Sequence, residues 1–298
     1  DHAARVHANR AGIVAMIGAM ACFIVNDALV KYASQTVPAA QLIFVRGIMA
    51  STLVLAVARA MGATVRIGEI ARGWVATRAV VDAVASMLYL VSLFHLPISS
   101  ATAINMTSPL FITVLAAIFL GERVGVPSWF ATAVGFVSVL LIVQPQSDGF
   151  NNSYAILCFL ATVLLSVRDL LTRRVHVGIP SILVTLSTTV SVTVFSGAFT
   201  LLEGWAPVGA FELGLLAVAA AFLATAYYLL VSSTRKGDLS LVAPFRYSGL
   251  LFAAVIGFVV WGDVPNGLAW SGIVLLIGSG IYVLRASRRA RAAPPALD

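Results

Sequence analysis

Two stretches decide the fold: LPISSATAINMTSPLFITVLAAIFLGE at residues 96–122 and LSLVAPFRYSGLLFAAVIGFVVWGD at residues 239–263. Laid over each other at an offset of 141, Ser99 meets Ser240, Gly121 meets Gly262 and Glu122 meets Asp263; just beyond, Trp129 meets Trp270. Earlier in the chain the register is 142, where Asp27 falls on Asp169, Lys31 on Arg173 and Pro38 on Pro180. A single deletion reconciles the two offsets, so the chain reads as a tandem duplication. If each copy holds an odd number of membrane spans, the second lies inverted relative to the first, which is the usual architecture of alternating-access carriers. The number of helices per copy is therefore the deciding quantity.

Composition fixes the setting. Hydrophobic residues make up 60% of the chain and charged ones 10%, against about 25% charged in soluble domains, so the fold class is an all-α polytopic membrane protein. Cys22 and Cys158 sit far apart in apolar stretches and offer neither a disulfide framework nor a metal spacing. The formal charge of +7 is spread between apolar runs rather than gathered with aromatics on one face, so no nucleic-acid partner is expected. The polar stretch from Asp1 to Arg10 has no initiator methionine and no apolar core, and is expected to be a trimmed terminus or vector remnant rather than a signal peptide.

A hydrocarbon core of about 30 Å needs roughly 20 apolar residues. Ten segments satisfy this within tilt: 11–31, 38–58, 74–95, 98–120, 126–143, 153–172, 180–201, 208–231, 240–261 and 265–284. Prolines, glycines and short charged turns separate them. Five spans per copy make the repeat inverted, with a first copy at 11–145 and a second at 146–284 between polar tails at 1–10 and 285–298. Fourteen basic residues fall on one side: Arg5, Arg10, Arg59, Arg66, Arg72, Arg123, Arg173, Arg174, Arg235, Lys236, Arg285, Arg288, Arg289 and Arg291. Lys31 alone falls on the other, so the positive-inside rule puts both termini in the cytoplasm. All five tryptophans, Trp74, Trp129, Trp205, Trp261 and Trp270, lie near segment ends, as an interfacial belt requires.

Charges inside the spans mark the functional surface, because each costs roughly 3 kcal/mol even on the lenient insertion scale and must face a partner or water. Arg46, Arg78, Arg168 and Arg246 are the cations, and Asp27, Asp82 and Asp169 the available counter-charges. Arg78 and Asp82 are four apart on one helix face and are expected to pair. Arg46, two turns into the second segment, is placed to reach Asp27, as a gate or as a permanent staple. Arg168 and Asp169 are adjacent, so they point to different faces and are expected to take separate partners, Arg168 by snorkelling to headgroups.

The fourth and ninth segments carry most of the remaining signal. Pro109 has no N–H to give the carbonyl of Asn105, and Pro244 does the same to Ser240. Asn105 aligns with Arg246, each about two turns into its segment, and the inverted arrangement brings both toward the midplane, where carriers bind cargo. Arg246 has no acidic neighbour in sequence, and its charge suits a carboxylate or phosphate. Ser108 and Pro109 belong to the same break, and Tyr89, Tyr227 and Tyr247, with Tyr228, are read as walls for an amphipathic cargo or as packing residues. Thr113, Ala117 and Gly121, and Gly249, Ala253 and Gly257, repeat every four residues, the spacing for close helix contact in lipid.

Enzyme signatures are absent. His95 and His176 are too far apart for a zinc helix, Ser248-Gly249 lacks the flanks of a hydrolase elbow, and there is no P-loop. No catalytic residue, metal or cofactor is expected.

Asn26-Asp27 to Lys31 before Pro38, followed by Arg46-Gly47, resembles the start of an EamA-type member of the drug/metabolite transporter superfamily. Leu96-Pro97-Ile98-Ser99-Ser100-Ala101-Thr102-Ala103, through Ser108-Pro109-Leu110-Phe111 to Leu120-Gly121-Glu122, is similar to that family's fourth-helix signature. The resemblance implies ten helices in two inverted halves around a shared cavity, and transport of small metabolites. Chain length and helix plan suit the branch of YddG-like exporters of aromatic and other neutral amino acids. The expected function is therefore a secondary exporter of amino acids or similar metabolites in the bacterial inner membrane, acting as a monomer or weak homodimer. Uptake or exchange of a nucleotide-like metabolite such as S-adenosylmethionine is the alternative within transport, and a lipid-acting membrane enzyme the alternative outside it. Asp82 beside Arg78, and Asp27 near Lys31 and Arg46, have cationic neighbours that favour the charged carboxylate. Facilitated or exchange transport is accordingly expected over strict proton antiport.

Overall fold

The computed structural model describes residues 2–119, 126–143, 152–172, 174–176, 178–236 and 243–292, and the described residues are helices joined by short connections, with no strand among them. In chain order the helices are α1 (His2–Ala33), α2 (Ala39–Ala60), α3 (Gly73–His95), α4 (Ile98–Asn105), α5 (Ser108–Phe119) and α6 (Val126–Val143). They continue as α7 (Asn152–Thr172), α8 (Ser181–Glu203), α9 (Ala210–Lys236), α10 (Ser248–Trp261) and α11 (Gly267–Ala292). Two 3-10 helices intervene, Ala63–Ala71 before α3 and Ala243–Tyr247 before α10. Three helices start directly after a proline: Pro38, Pro97 and Pro180 hold φ at −54°, −53° and −57° with extended ψ, which presets the chain for a helical turn. Gly262, at φ 72°, ends α10 in the left-handed region.

The sequence segments and the helices agree in order but differ at their ends and in continuity. α1 begins at His2 rather than at residue 11, and α9 and α11 continue to Lys236 and Ala292 beyond the apolar runs. The fourth segment is two helices, broken between Asn105 and Ser108, and the ninth, described from Ala243 onward, is a 3-10 turn followed by α10. Among the described residues, six helices are long and apolar enough to cross a membrane by themselves: Arg10–Ala33, Ala39–Ala60, Gly73–His95, Ser153–Thr172, Ser181–Glu203 and Ala210–Leu230. Phe245–Trp261 and Gly267–Ser279 are apolar but shorter. α4, with 8 residues, rises only about 12 Å, so the fourth segment spans a bilayer only with α5 stacked beneath it.

Packing joins the two copies throughout. α1 lies on α9, α2 on α8, α3 on α7 and α8, α2 on α9, and α6 on α11. α10 packs on α1 and α4, and α7 receives α4 and α5. Counted by segment, each of these packings becomes another of them, or itself, when segments one to five are exchanged with six to ten. Small residues permit the approach. A Cβ at Gly257 would lie 3.2 Å from Ile98, and one at Gly249 would lie 3.6 Å from Met106 and 3.8 Å from Met20, so the Gly249, Ala253, Gly257 stripe is the contact face of α10 as its spacing predicts. Gly121, on the matching stripe, lies outside the described residues.

Candidate functional site

Two polar networks are buried in the bundle, the first within the first copy and the second between the copies. In the first, Arg46 on α2 donates from Nη1 to Asn26 Oδ1 on α1 at 3.2 Å. Asn26 donates in turn to Asp27 Oδ1 at 2.9 Å, and the hydroxyl of Tyr89 on α3 donates to Asp27 Oδ2 at 3.1 Å. The expected contact between Arg46 and Asp27 thus runs through Asn26, with no direct ion pair. Asn26 is 1% exposed, and its amide is the element sequence reasoning missed: it presents an acceptor to a cation and a donor to a carboxylate at once. Its only signal in sequence was a polar residue beside Asp27 within an apolar run.

The second network centres on Asp82 of α3, which is 1% exposed. Arg168 on α7 pairs with Asp82 Oδ1 at 3.0 Å and with Asp169 Oδ1 at 2.7 Å. Arg78 lies 3.8 Å from Asp82 Oδ2 and donates to the hydroxyls of Thr172 and Thr188, both at 2.7 Å. The expected Arg78–Asp82 pair is present but is the longer of the two that Asp82 makes. The expectation that Arg168 snorkels to headgroups, away from Asp169, is corrected. Its guanidinium turns inward because a buried carboxylate on α3 faces it, and its stem is long enough to reach its sequence neighbour as well.

Tyr227 of α9 lies between the networks, within electrostatic reach of Arg46, Arg78, Asp82 and Arg168. Its ring meets Phe23 of α1 edge-on at 5.3 Å. Tyr228, one residue on, is 67% exposed and faces away. Each network balances its own charge, one cation with one carboxylate in the first and two with two in the second.

The breaks in the fourth and ninth segments meet. Asn105 closes α4 and Ser108 opens α5, with Pro109 in its first turn; the Thr107 N–H and hydroxyl both bond the carbonyl of Ile104, at 3.1 and 2.5 Å, which satisfies part of the broken ladder. Ser108 Oγ lies 3.1 Å from Ser166 Oγ on α7, so it is engaged in packing. Opposite, the 3-10 turn carries Arg246, half-buried, and Tyr247, which packs with Ala103, Leu110 and Leu250 while its buried hydroxyl has no hydrogen-bond partner among the described residues. Among the described residues no carboxylate pairs with Arg246. Irregular backbone at membrane depth persists only where protein or a water-filled cavity surrounds it.

One end of the bundle is tied by further contacts between the copies. Lys31 of α1 donates to the carbonyl of Leu96 and sits 5.2 Å over the ring of Trp261. Gln41, wholly buried, exchanges two hydrogen bonds with the backbone of Ala206, at 2.7 and 2.9 Å. Neither Lys31 nor Gln41 was read as part of a site from sequence. No cluster of metal-ligating side chains occurs among the described residues.

The profile of the EamA-like transporter family matches residues 10–144. A riboflavin transporter of Rhizobium johnstonii is 33% identical over 219 residues, covering 73% of this chain and 72% of the relative. A pseudopaline exporter, CntI, of Pseudomonas aeruginosa is 27% identical, covering 94% of this chain and 98% of the relative. An S-adenosylmethionine uptake transporter of Rickettsia conorii is 25% identical over 65% of each chain. A solved crystal structure with 18% identity superposes with a TM-score of 0.67 over 95% of this chain, a likeness of fold alone.

Proposed function

The chain belongs to the EamA-like transporter family, a multi-pass membrane transporter of small molecules, and from that premise we propose a secondary carrier for a zwitterionic metabolite, with amino-acid export as the leading case. Ten spans form two inverted five-helix halves in the bacterial inner membrane, both termini cytoplasmic. The exchange-symmetric packing of the segments supports this topology, as does the placement of the basic residues.

The observation that carries the cargo reading is the meeting of the two broken segments beside an arginine that no carboxylate among the described residues pairs. The two flanking networks are internally neutral, so Arg246 supplies the net charge for a carboxylate, while Asn105 accepts from an ammonium. Asn26, Arg46 and Tyr227 line the approach. Counterflow of labelled amino acids in proteoliposomes tests this: saturable exchange that Arg246→Gln weakens supports it, and no exchange across a broad amino-acid panel rejects it.

A second reading, a larger cargo bearing an aromatic heterocycle, is favoured by the edge-on Tyr227–Phe23 pair between the networks. The relatives named for riboflavin and S-adenosylmethionine point the same way. Stabilisation of the purified protein by riboflavin or adenine compounds, with none by amino acids, would select it.

A further inference from the structure

We propose that the connection between α2 and α3 is a binding site for an anionic phospholipid. This goes beyond the cargo reading and is independent of it. The connection is a 3-10 helix, Ala63–Ala71, hung between Gly62 and Gly73, whose φ values of 68° and 52° let the chain turn sharply at both ends. Its inner side is fixed. Ala63 and Ile70 pack against Val54, Leu183 and Leu186, Ser187 donates to the carbonyl of Ile70 at 2.6 Å, and Arg66 donates to the carbonyl of Gly178.

The outer side is apolar and uncovered: Val65 is 92% exposed, Met61 63% and Ile67 41%. A segment pinned on its inner side cannot turn these residues inward, and a rigid apolar ridge at the end of a transmembrane helix is suited to the boundary between headgroups and acyl chains. Three exposed arginines surround it. Arg59 ends α2, Arg72 precedes α3, and the Arg174 guanidinium lies 5.7 Å over the ring of Trp74. Glu69, in the same turn, is engaged by Arg66 at 2.8 Å, and among the described residues no carboxylate pairs with Arg59, Arg72 or Arg174. A ligand with a phosphodiester anion and acyl chains complements both features, whereas free phosphate would leave Val65 and Met61 bare.

The test is native mass spectrometry of the full chain in detergent, titrated with phosphatidylglycerol or phosphatidylcholine of the same acyl chains. Phosphatidylglycerol is expected to bind tighter, by about five-fold for each arginine engaged. The Arg72→Gln/Arg174→Gln variant is expected to lose most of that preference while keeping its phosphatidylcholine binding, and Val65→Asn to weaken both lipids. Should the glutamine variant unfold, Arg72→Lys/Arg174→Lys serves instead and is expected to retain the preference. Equal affinity for the two lipids in the unaltered protein overturns the proposal. So does a preference unaffected by removing the arginine charges or lost in the lysine variant, and so does displacement of phosphatidylglycerol by equimolar inorganic phosphate.

Discussion

The network around Asp27 and the network around Asp82 draw on the same repeat positions, yet they place charge differently. At the offset of 142, Asn26-Asp27 corresponds to Arg168-Asp169, and Arg46 corresponds to Thr188. In the first copy the neutral amide is on α1 and the guanidinium comes from α2; in the second the guanidinium is on α7 and the neutral hydroxyl on α8. The matching positions are polar in both halves but carry the cation on different helices, and Thr188 accepts from Arg78 where Asn26 accepts from Arg46. Asp27 is consequently held by the neutral donors Asn26 and Tyr89, while Asp82 lies between two guanidiniums. Neutral hydrogen bonds can be exchanged for water or cargo at modest cost, but a buried ion pair that loses one partner strands the other. On the carrier reading proposed above, the Asp82 network is expected to act as the fixed support and the Asp27 network as the part that rearranges.

The largest expected effect tests that division directly. Asp82→Asn leaves Arg78 and Arg168 short of counter-charge and should destabilise the protein by about 3–5 kcal/mol, whereas Asp27→Asn should cost about 1–2 kcal/mol. Unfolding in detergent, followed by circular dichroism, compares them, and equal losses would erase the distinction. Next in size, Arg246→Gln should raise the KM for a carboxylate-bearing cargo roughly ten-fold or more, through loss of a charged hydrogen bond, with little change in thermal stability. Asn105→Ala should raise KM less. An Arg246→Gln protein that melts early and transports normally would place this arginine in the scaffold.

Smaller still, Tyr89→Phe removes one donor to Asp27 and should cost about 1 kcal/mol while changing the transport rate more than Arg78→Lys does. The reverse ranking in liposome flux would make the Asp82 network the moving one. The smallest difference separates two glycines of one face. Gly249→Ala meets ordinary contacts and gains up to about 1 kcal/mol of helix propensity, whereas Gly257→Ala presses on Ile98 at 3.2 Å and should offset that gain. Their melting temperatures should diverge by a few degrees, and identical values would show that α10 stands off α4 more than its packing implies.

Much of the frame was legible in the primary structure, for reasons local to each element. Pro38, Pro97 and Pro180 set helix starts through a fixed φ, and Pro109 removed a donor that Asn105 needed. Apolar length marked each segment, and Gly249, Ala253 and Gly257 announced a contact face. The site was legible only as an inventory of charges. Helical spacing found the pairing of Arg78 with Asp82, but the preference of Asp82 for Arg168 depends on which face of α7 meets α3, and that is a property of packing.

By itself the sequence determined the membrane setting, the order of the segments and the break in the fourth, because apolar length and proline geometry are carried by neighbours along the chain. Tertiary structure alone decided that Asn26 relays Arg46 to Asp27, that Arg168 turns inward, and that the two breaks meet beside Arg246, which no carboxylate among the described residues pairs. Those outcomes depend on side chains far apart in sequence sharing a low-dielectric interior, where each charge must take the partner that packing brings within reach.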